Sequence, residues 1–290
     1  MRVAVVGTGR MGAAMAGRLA GAGHDVVLQN RTRARADAVA ERFDLRVVDL
    51  PGEAATDAEV VLVSLADDAA VRAAYGGPDG LVAGLRSGAV VVDTSTVDPA
   101  TVQRLGPDVD RAGGVLLDTP VSGSVSTVEA GELLVMAGGD GAALDRVRPV
   151  LESFAPRVLH LGPLGAGATM KLAVNSVVHA LNEALAEALV LAEKAGVDRS
   201  AAYEVFVSSA VAAPFVLYKR AAYEHPADAP VAFALDLVAK DLDLVADLAA
   251  RVGADMPQLA ANRGVVERAR QAGLGASDLS ALAEVLRGLP

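Results

Sequence analysis

The chain has 290 residues, 52% of them hydrophobic, enough to bury a large core and to fill one big domain or two of ordinary size; two are expected. A formal net charge of −10 argues against a basic face for nucleic acid, four scattered histidines give no reason to expect a metal, and the lack of cysteine excludes disulfides, thiolate metal sites and a cysteine nucleophile. The cysteine-free composition suits a reducing cytoplasm, and neither a signal peptide nor a membrane span is expected, since "RVAVVGTG" reads as strand and turn and charges break every long apolar run.

In chain order, short β-branched runs alternate with amphipathic helices through the first half. "VAVV", "DVVLQ", "LRVV", "EVVLVS", "AVVVD", "VLLD", "LLVMA" and "RVLHL" read as strands, the rhythm of a parallel sheet with crossover helices. After "LGPLGAGA" the rhythm stops. About thirty residues of Ala, Leu and Val then predict one long helix, and further helices follow, punctuated by "AGVD", "AAPF", "EHPADAP", "VGADMP" and "GLGAS". The boundary therefore falls near Pro163 to Gly167, giving domains at 1–163 and 164–290.

The first chemical motif, "VVGTGRMGAAMAGRLAGAG", sets Gly7, Gly9 and Gly12 in G-x-G-x-x-G spacing after a strand and before a helix with Met11, Met15 and Leu19 periodicity. Gly7 makes the tight turn, Gly9 lets a pyrophosphate approach the backbone, and Gly12 lets helix pack closely on strand. Arg10 and Met11 open that helix and belong to the expected cofactor-binding set. An acid ending the second strand would grip the 2′-hydroxyl of NAD; here "LQNRTRAR" places Asn30 at that position, followed by Arg31 and Thr32, a guanidinium fork and a hydroxyl for the 2′-phosphate of NADP. NADP is therefore expected over NAD. Arg31, Arg33 and Arg35 could instead form a solvated helix start, but cations sit poorly at a helix N-terminus unless an anion compensates them.

The glycine motif, "NRT", "DTSTVDP", "DTPVSGS", "GAGATMKLAVN", "KDLDL" and "GLGASDLSA" together resemble, in order and spacing, the β-hydroxyacid dehydrogenase family, which includes 3-hydroxyisobutyrate dehydrogenases and glyoxylate or semialdehyde reductases. The resemblance implies an α/β fold: a Rossmann dinucleotide-binding domain joined by a long helix to an all-helical substrate and dimerisation domain. It makes Lys171 the general acid/base, a role that fits a carbonyl accepting hydride: an ammonium in reach stabilises the developing oxyanion and donates the proton. Asn175, one turn on, can hold the lysine or the substrate oxygen. His179 continues that face and reads as a packed residue. The resemblance also gives Ser122 and Gly123 the substrate carboxylate, with Ser124 beside them, Thr96 the nicotinamide half, and Leu65, Ala66 and Lys240 the cofactor, with Asp241 at the cleft. Relatives read S-G-G-x-x-G-A at the substrate loop, whereas Ser124, Thr127 and Val128 here replace the second Gly and the later Gly-Ala, adding bulk.

A bare Lys-Asp pair on a helix reads as solvated surface, and "SSAVAAPFVLYK" reads as core with part lining the pocket. Decarboxylating 6-phosphogluconate dehydrogenases carry K-x-x-H-N, but Val174 stands at the histidine position here. Imine reductases share the architecture and generally lack the lysine, so C=N reduction is the alternative, and a non-catalytic NADP sensor is the alternative of another class. The expected partners are a small carbonyl or hydroxy-acid substrate and a second copy of the chain in a homodimer or higher oligomer.

Overall fold

The computed structural model describes residues 1–226 and 230–288. The chain divides into two compact units, Met1–Lys171 and Leu172–Pro290. The first is built on a six-stranded sheet of β1 (Arg2–Val6), β2 (Asp25–Gln29), β3 (Arg46–Val48), β4 (Val60–Val63), β5 (Val90–Asp93) and β6 (Val115–Asp118), in the order β3-β2-β1-β4-β5-β6. Every pairing is parallel. Crossover helices cover both faces of such a sheet, which is why "VVLV" and "VVVD" are buried at every position rather than alternately. The helix Arg10–Gly21 lays Gly12, Met15, Ala16 and Leu19 on the sheet, and Met11 is half-buried.

The last two expected strands leave this sheet. Leu134–Ala137 (β8) and Arg157–His160 (β9) pair in parallel, and β8 also runs antiparallel to an unexpected two-residue strand, β7 (Val121–Ser122). The rhythm of strand and helix does not reveal this split, because β7 is too short to show alternation.

The long helix expected at the end of the glycine-rich stretch spans Ala166–Lys194, 29 residues, and continues into the second unit. That unit is all helical: Arg199–Ser208, Pro214–Glu224, Leu235–Val252, Pro257–Gln271 and Leu282–Arg287 pack around Tyr203, Val216, Tyr223, Leu235 and Val245. Asp198 caps the first of these by accepting from Ala201 N, and left-handed Gly253 ends the third. The break expected at "EHPADAP" falls partly on 227–229, outside the described residues. Among the described residues no helix is long and apolar enough to cross a membrane, and no group of three or more His, Asp or Glu could hold a metal ion.

Candidate active site

The sheet register brings one set of loops to one edge. Val6 is level with Gln29 and Val63, Val63 with Asp93, and Asp93 with Asp118, so the chain emerges at residues 7–12, 30–32, 64–66, 94–96 and 119–124 along the same carboxyl edge. In doubly wound sheets ligands bind there, where the strand order reverses between β1 and β4.

Gly7 has φ +99°, and a Cβ there would strike Ser64 O and the Leu65 side chain; a Cβ on Gly12 would strike Gly7 O. The turn is thus clamped from both sides. Gly9 faces open space, with nothing within 4 Å of a Cβ built on it, and the buried Thr8 Oγ1 has no hydrogen-bond partner among the described residues. A turn with an open backbone face, an orphan hydroxyl and the N-terminus of a 12-residue helix suits a phosphate-bearing group. Asn30 ties the neighbouring loop to it: Thr8 N donates to Asn30 Oδ1 at 3.1 Å, and Asn30 Nδ2 donates to Thr32 O at 2.9 Å.

Arg31 and Thr32 are exposed at this edge, and no hydrogen bond or ion pair engages the Arg31 guanidinium among the described residues. Arg33 differs. It pairs with Asp37 at 3.2 Å and Asp49 at 2.6 Å, so the anion that compensates this cation near a helix start is the protein's own, which corrects the expectation that a ligand must supply it.

Leu65 and Ala66 follow β4, and Leu65 N donates to Ser95 Oγ at 3.0 Å, next to half-buried Thr96. Beneath them lies a buried network that the sequence reading missed. Asp93 accepts from Tyr75 Oη at 2.9 Å and from Ser95 N at 2.9 Å. Burial pushes the Asp93 carboxyl above its ordinary range, and the Tyr75 hydroxyl far above its own.

Asp118, the last residue of β6, does similar work for the lysine helix. It accepts from Gly165 N at 2.8 Å and Ala168 N at 2.6 Å, holding the first turn of Ala166–Lys194. Burial raises its carboxyl, although those amide donors act against the rise. A Cβ on Gly167 would strike Met136 O, so only glycine permits this approach. Held this way, half-buried Lys171 donates from Nζ to Val121 O at 2.8 Å, immediately before Ser122 and Gly123. The Val121 carbonyl thus engages the ammonium. An acid closing an otherwise apolar strand, as in "VVVD" and "VLLD", is the sequence signal that could have found both Asp93 and Asp118.

In the loop that follows β7, Gly123 has φ +137°, and a Cβ there would meet the Leu133 and Thr127 side chains. Ser124 N donates to Thr127 Oγ1 at 3.1 Å, and Ser124 Oγ lies 2.8 Å from Ser126 Oγ. The side chain at position 127 thus engages the Ser124 backbone amide.

In the helical unit, Asn175 Nδ2 donates to Asp241 Oδ2 at 2.6 Å. Lys240 Nζ lies 3.0 Å from Asp241 Oδ1, and His179 Nε2 lies 3.5 Å from Asp241 Oδ2. Asp241 is 1% exposed, which corrects the solvated-surface reading of this Lys-Asp pair: the amphipathic helix turns the aspartate inward. Burial pushes the Asp241 carboxyl up, but His179 and Lys240 outweigh it and hold it below the ordinary carboxylate range. His179 is packed, its ring 5.9 Å from that of Phe233. In "SSAVAAPFVLYK" the core reading holds for Phe215 and Val216 but not for Leu217 and Tyr218, on the outer face of the helix, nor for Val211 in the turn before it, all about half exposed. Lys219 there is buried and paired to both Asp278 oxygens at 2.8 Å.

Residues 2–162 match the family described as the NAD binding domain of 6-phosphogluconate dehydrogenase, and residues 165–286 the NAD-binding family of NADP-dependent 3-hydroxyisobutyrate dehydrogenase. The 3-sulfolactaldehyde reductase of Escherichia coli (strain K12) is 32% identical over 287 residues, covering 98% of this chain and 95% of that protein. The chloroplastic glyoxylate/succinic semialdehyde reductase 2 of Arabidopsis thaliana is 31% identical over 290 residues, covering 98% and 79%. Among solved structures, a 3-hydroxyisobutyrate dehydrogenase from Salmonella typhimurium superposes with TM-score 0.90 at 27% identity, covering 98% of this chain and 99% of that one. Psf3 in complex with NADP+ and 2-OPP superposes with TM-score 0.89 at 26% identity, covering 98% and 99%. An imine reductase from Pseudomonas sp. shares the fold, with TM-score 0.66 at 22% identity, covering 98% and 99%. With both halves matched in order and the relatives aligned across nearly the whole chain, this protein belongs to the β-hydroxyacid dehydrogenase family of NAD(P)-dependent oxidoreductases.

Proposed function

We propose that the protein is an NADP(H)-dependent oxidoreductase interconverting a small β-hydroxy acid with its aldehyde or keto-acid partner. In this reading 1–163 bind the cofactor and 164–290 serve substrate binding and dimerisation. The carrying observation is the 2.8 Å bond from Lys171 Nζ to Val121 O, which supports a proton-donating role for an ammonium next to Ser122 and Gly123. The bound nicotinamide would supply or accept the hydride. Ser122 and the Gly123 amide hold the substrate carboxylate, Lys171 stabilises charge on the carbonyl oxygen and delivers the proton, and Asn175 assists from the next turn. Gly7, Gly9, Gly12, Arg10 and Met11 frame the pyrophosphate, Asn30, Arg31 and Thr32 the adenosine end with its 2′-phosphate, and Leu65, Ala66, Thr96 and Lys240 the remainder.

Lys171 favours a carbonyl over an imine substrate, because a preformed iminium takes hydride without a proton. The test is NADPH oxidation against a panel of aldehydes, keto acids and cyclic imines. Turnover of aldehydes or keto acids is expected. Turnover of imines alone would overturn the carbonyl assignment, and tight NADPH binding with no turnover would favour a sensor. The same reading expects a cytoplasmic homodimer or larger oligomer; exposed Val177 and Leu191 on the long helix, at 67% and 72%, support it, and sedimentation would test it.

A further inference from the structure

We infer that Asp241 is a positioning residue that fixes the orientation of the Asn175 carboxamide, so that Asn175 enters the reaction as a hydrogen-bond acceptor through Oδ1 and not as a donor. The inference rests on the catalytic reading of Lys171 and decides between the two roles open to Asn175, holding the lysine or gripping the substrate oxyanion.

An amide can be turned over without changing its shape, so geometry alone does not say which end faces a neighbour. Here the neighbour does. Asp241 Oδ2 is 2.6 Å from the Asn175 amide, and an ionised carboxylate only accepts. Turning the amide over would press a carbonyl oxygen against a carboxylate oxygen in a site where Asp241 is 1% and Asn175 7% exposed. Lys240 faces the other carboxylate oxygen at 3.0 Å, and its positive charge favours the ionised form. His179 Nε2 flanks Oδ2 at 3.5 Å, and when that nitrogen carries a proton it faces the carboxylate as a donor. Each neighbour thus keeps Asp241 an acceptor and keeps the Asn175 NH2 turned toward it.

With Nδ2 committed, the free end of the amide is a carbonyl oxygen, one helical turn after Lys171. A carbonyl oxygen can receive an N–H of the lysine ammonium or the O–H of a hydroxy-acid substrate. It repels an oxyanion. Oxyanion stabilisation then falls to Lys171, and Asn175 supports the proton donor.

Exchange of the pair tests this. Asp241→Asn leaves an amide facing an amide, satisfied in either orientation, and should lower kcat about ten- to a hundredfold, the scale of a mispositioned catalytic group. The double exchange Asn175→Asp/Asp241→Asn restores one donor facing one acceptor and again presents an oxygen acceptor from position 175; most of the lost kcat should return. Unchanged kcat in D241N, or a folded double variant with no recovery, overturns the inference. If D241N fails to fold, the double variant decides by itself, and failure of both to fold makes Asp241 a stability residue and overturns the inference too. Lys171→Ala, measured in parallel, separates this result from the reading beneath it: if that variant keeps its kcat the catalytic reading itself fails, whereas a dead K171A with no rescue in the exchange sinks only the role of Asp241.

Discussion

The two units bury polar groups in different ways. In the sheet unit Asp93 and Asp118 lie at strand ends and are satisfied largely by backbone N–H groups, from Ser95, Gly165 and Ala168. In the helical unit Asn175 meets Asp241 and Tyr223 Oη meets Asn182 Oδ1, side chain to side chain, while Asp278, in a loop, takes both Lys219 and the amides of Ala232, Phe233 and Ser280. The reason is where backbone donors are left over: a parallel sheet ends in loops with free amides, whereas helix interiors consume theirs. A loop or strand-end carboxylate thus organises backbone, while Asp241 on its helix ties that helix to the one bearing Asn175. Lys219 is buried and held by both oxygens of Asp278, whereas half-buried Lys171 donates to the carbonyl of Val121.

That contrast can be broken at each of its members, beginning with the largest effect. Lys171→Ala should lower turnover about 10²–10⁴-fold, the range of general acid–base catalysis, while NADPH binding measured by fluorescence survives. Lys171→Met should be equally inactive yet fold at least as well, since it loses only a charge from an apolar setting. A fall in melting temperature without a fall in kcat would make Lys171 structural. Lys219→Met should do the reverse: it leaves the buried Asp278 carboxylate without its cation and should cost about 3–5 kcal/mol of stability in a denaturant titration. Pairing it with Asp278→Leu should recover much of that loss. Arg31→Ala should weaken NADPH about ten- to a hundredfold, the cost of one charged hydrogen-bonding partner, and leave NADH nearly unchanged. If NADH suffers equally, the 2′-phosphate assignment is wrong.

The smallest effect is the response of stability to pH. Burial pushes the Asp278 carboxyl up, but the Lys219 bond and charge outweigh it and hold it below the ordinary range. Its contribution is present above the ordinary carboxylate pKa of about 3.9 and lost as pH falls through the depressed folded value. Asp93 and Asp118 are raised, so their protonation favours the fold, and stability changes the other way between that ordinary value and their raised ones. Melting temperature should hold or rise slightly on acidification toward about pH 4 and fall below it. Asp278→Asn should flatten the acid fall and leave the shallow gain.

Much of the fold was legible in the sequence because periodicity and glycine chemistry are local. "VVGTGRMG" places Gly7 where φ is positive and Gly12 where a backbone oxygen leaves no room, both consequences of a strand turning into a helix within a few residues. The start of the long helix was likewise legible at "GAGATMK", and Asn175 falls one turn beyond Lys171 by counting alone. What tertiary structure decided concerns partners far apart in the chain. That Asp118 would hold a helix start 47 residues on, that Asp241 would meet Asn175 across 66, and that Arg33 would find Asp49 are outcomes of packing, and no local pattern encodes which buried donor a carboxylate will meet. Residue types and spacing determined that a dinucleotide-type turn and a lysine-bearing helix exist; the long-range hydrogen bonds determined which way their functional atoms point, because burial leaves each polar group only the partners that packing brings to it.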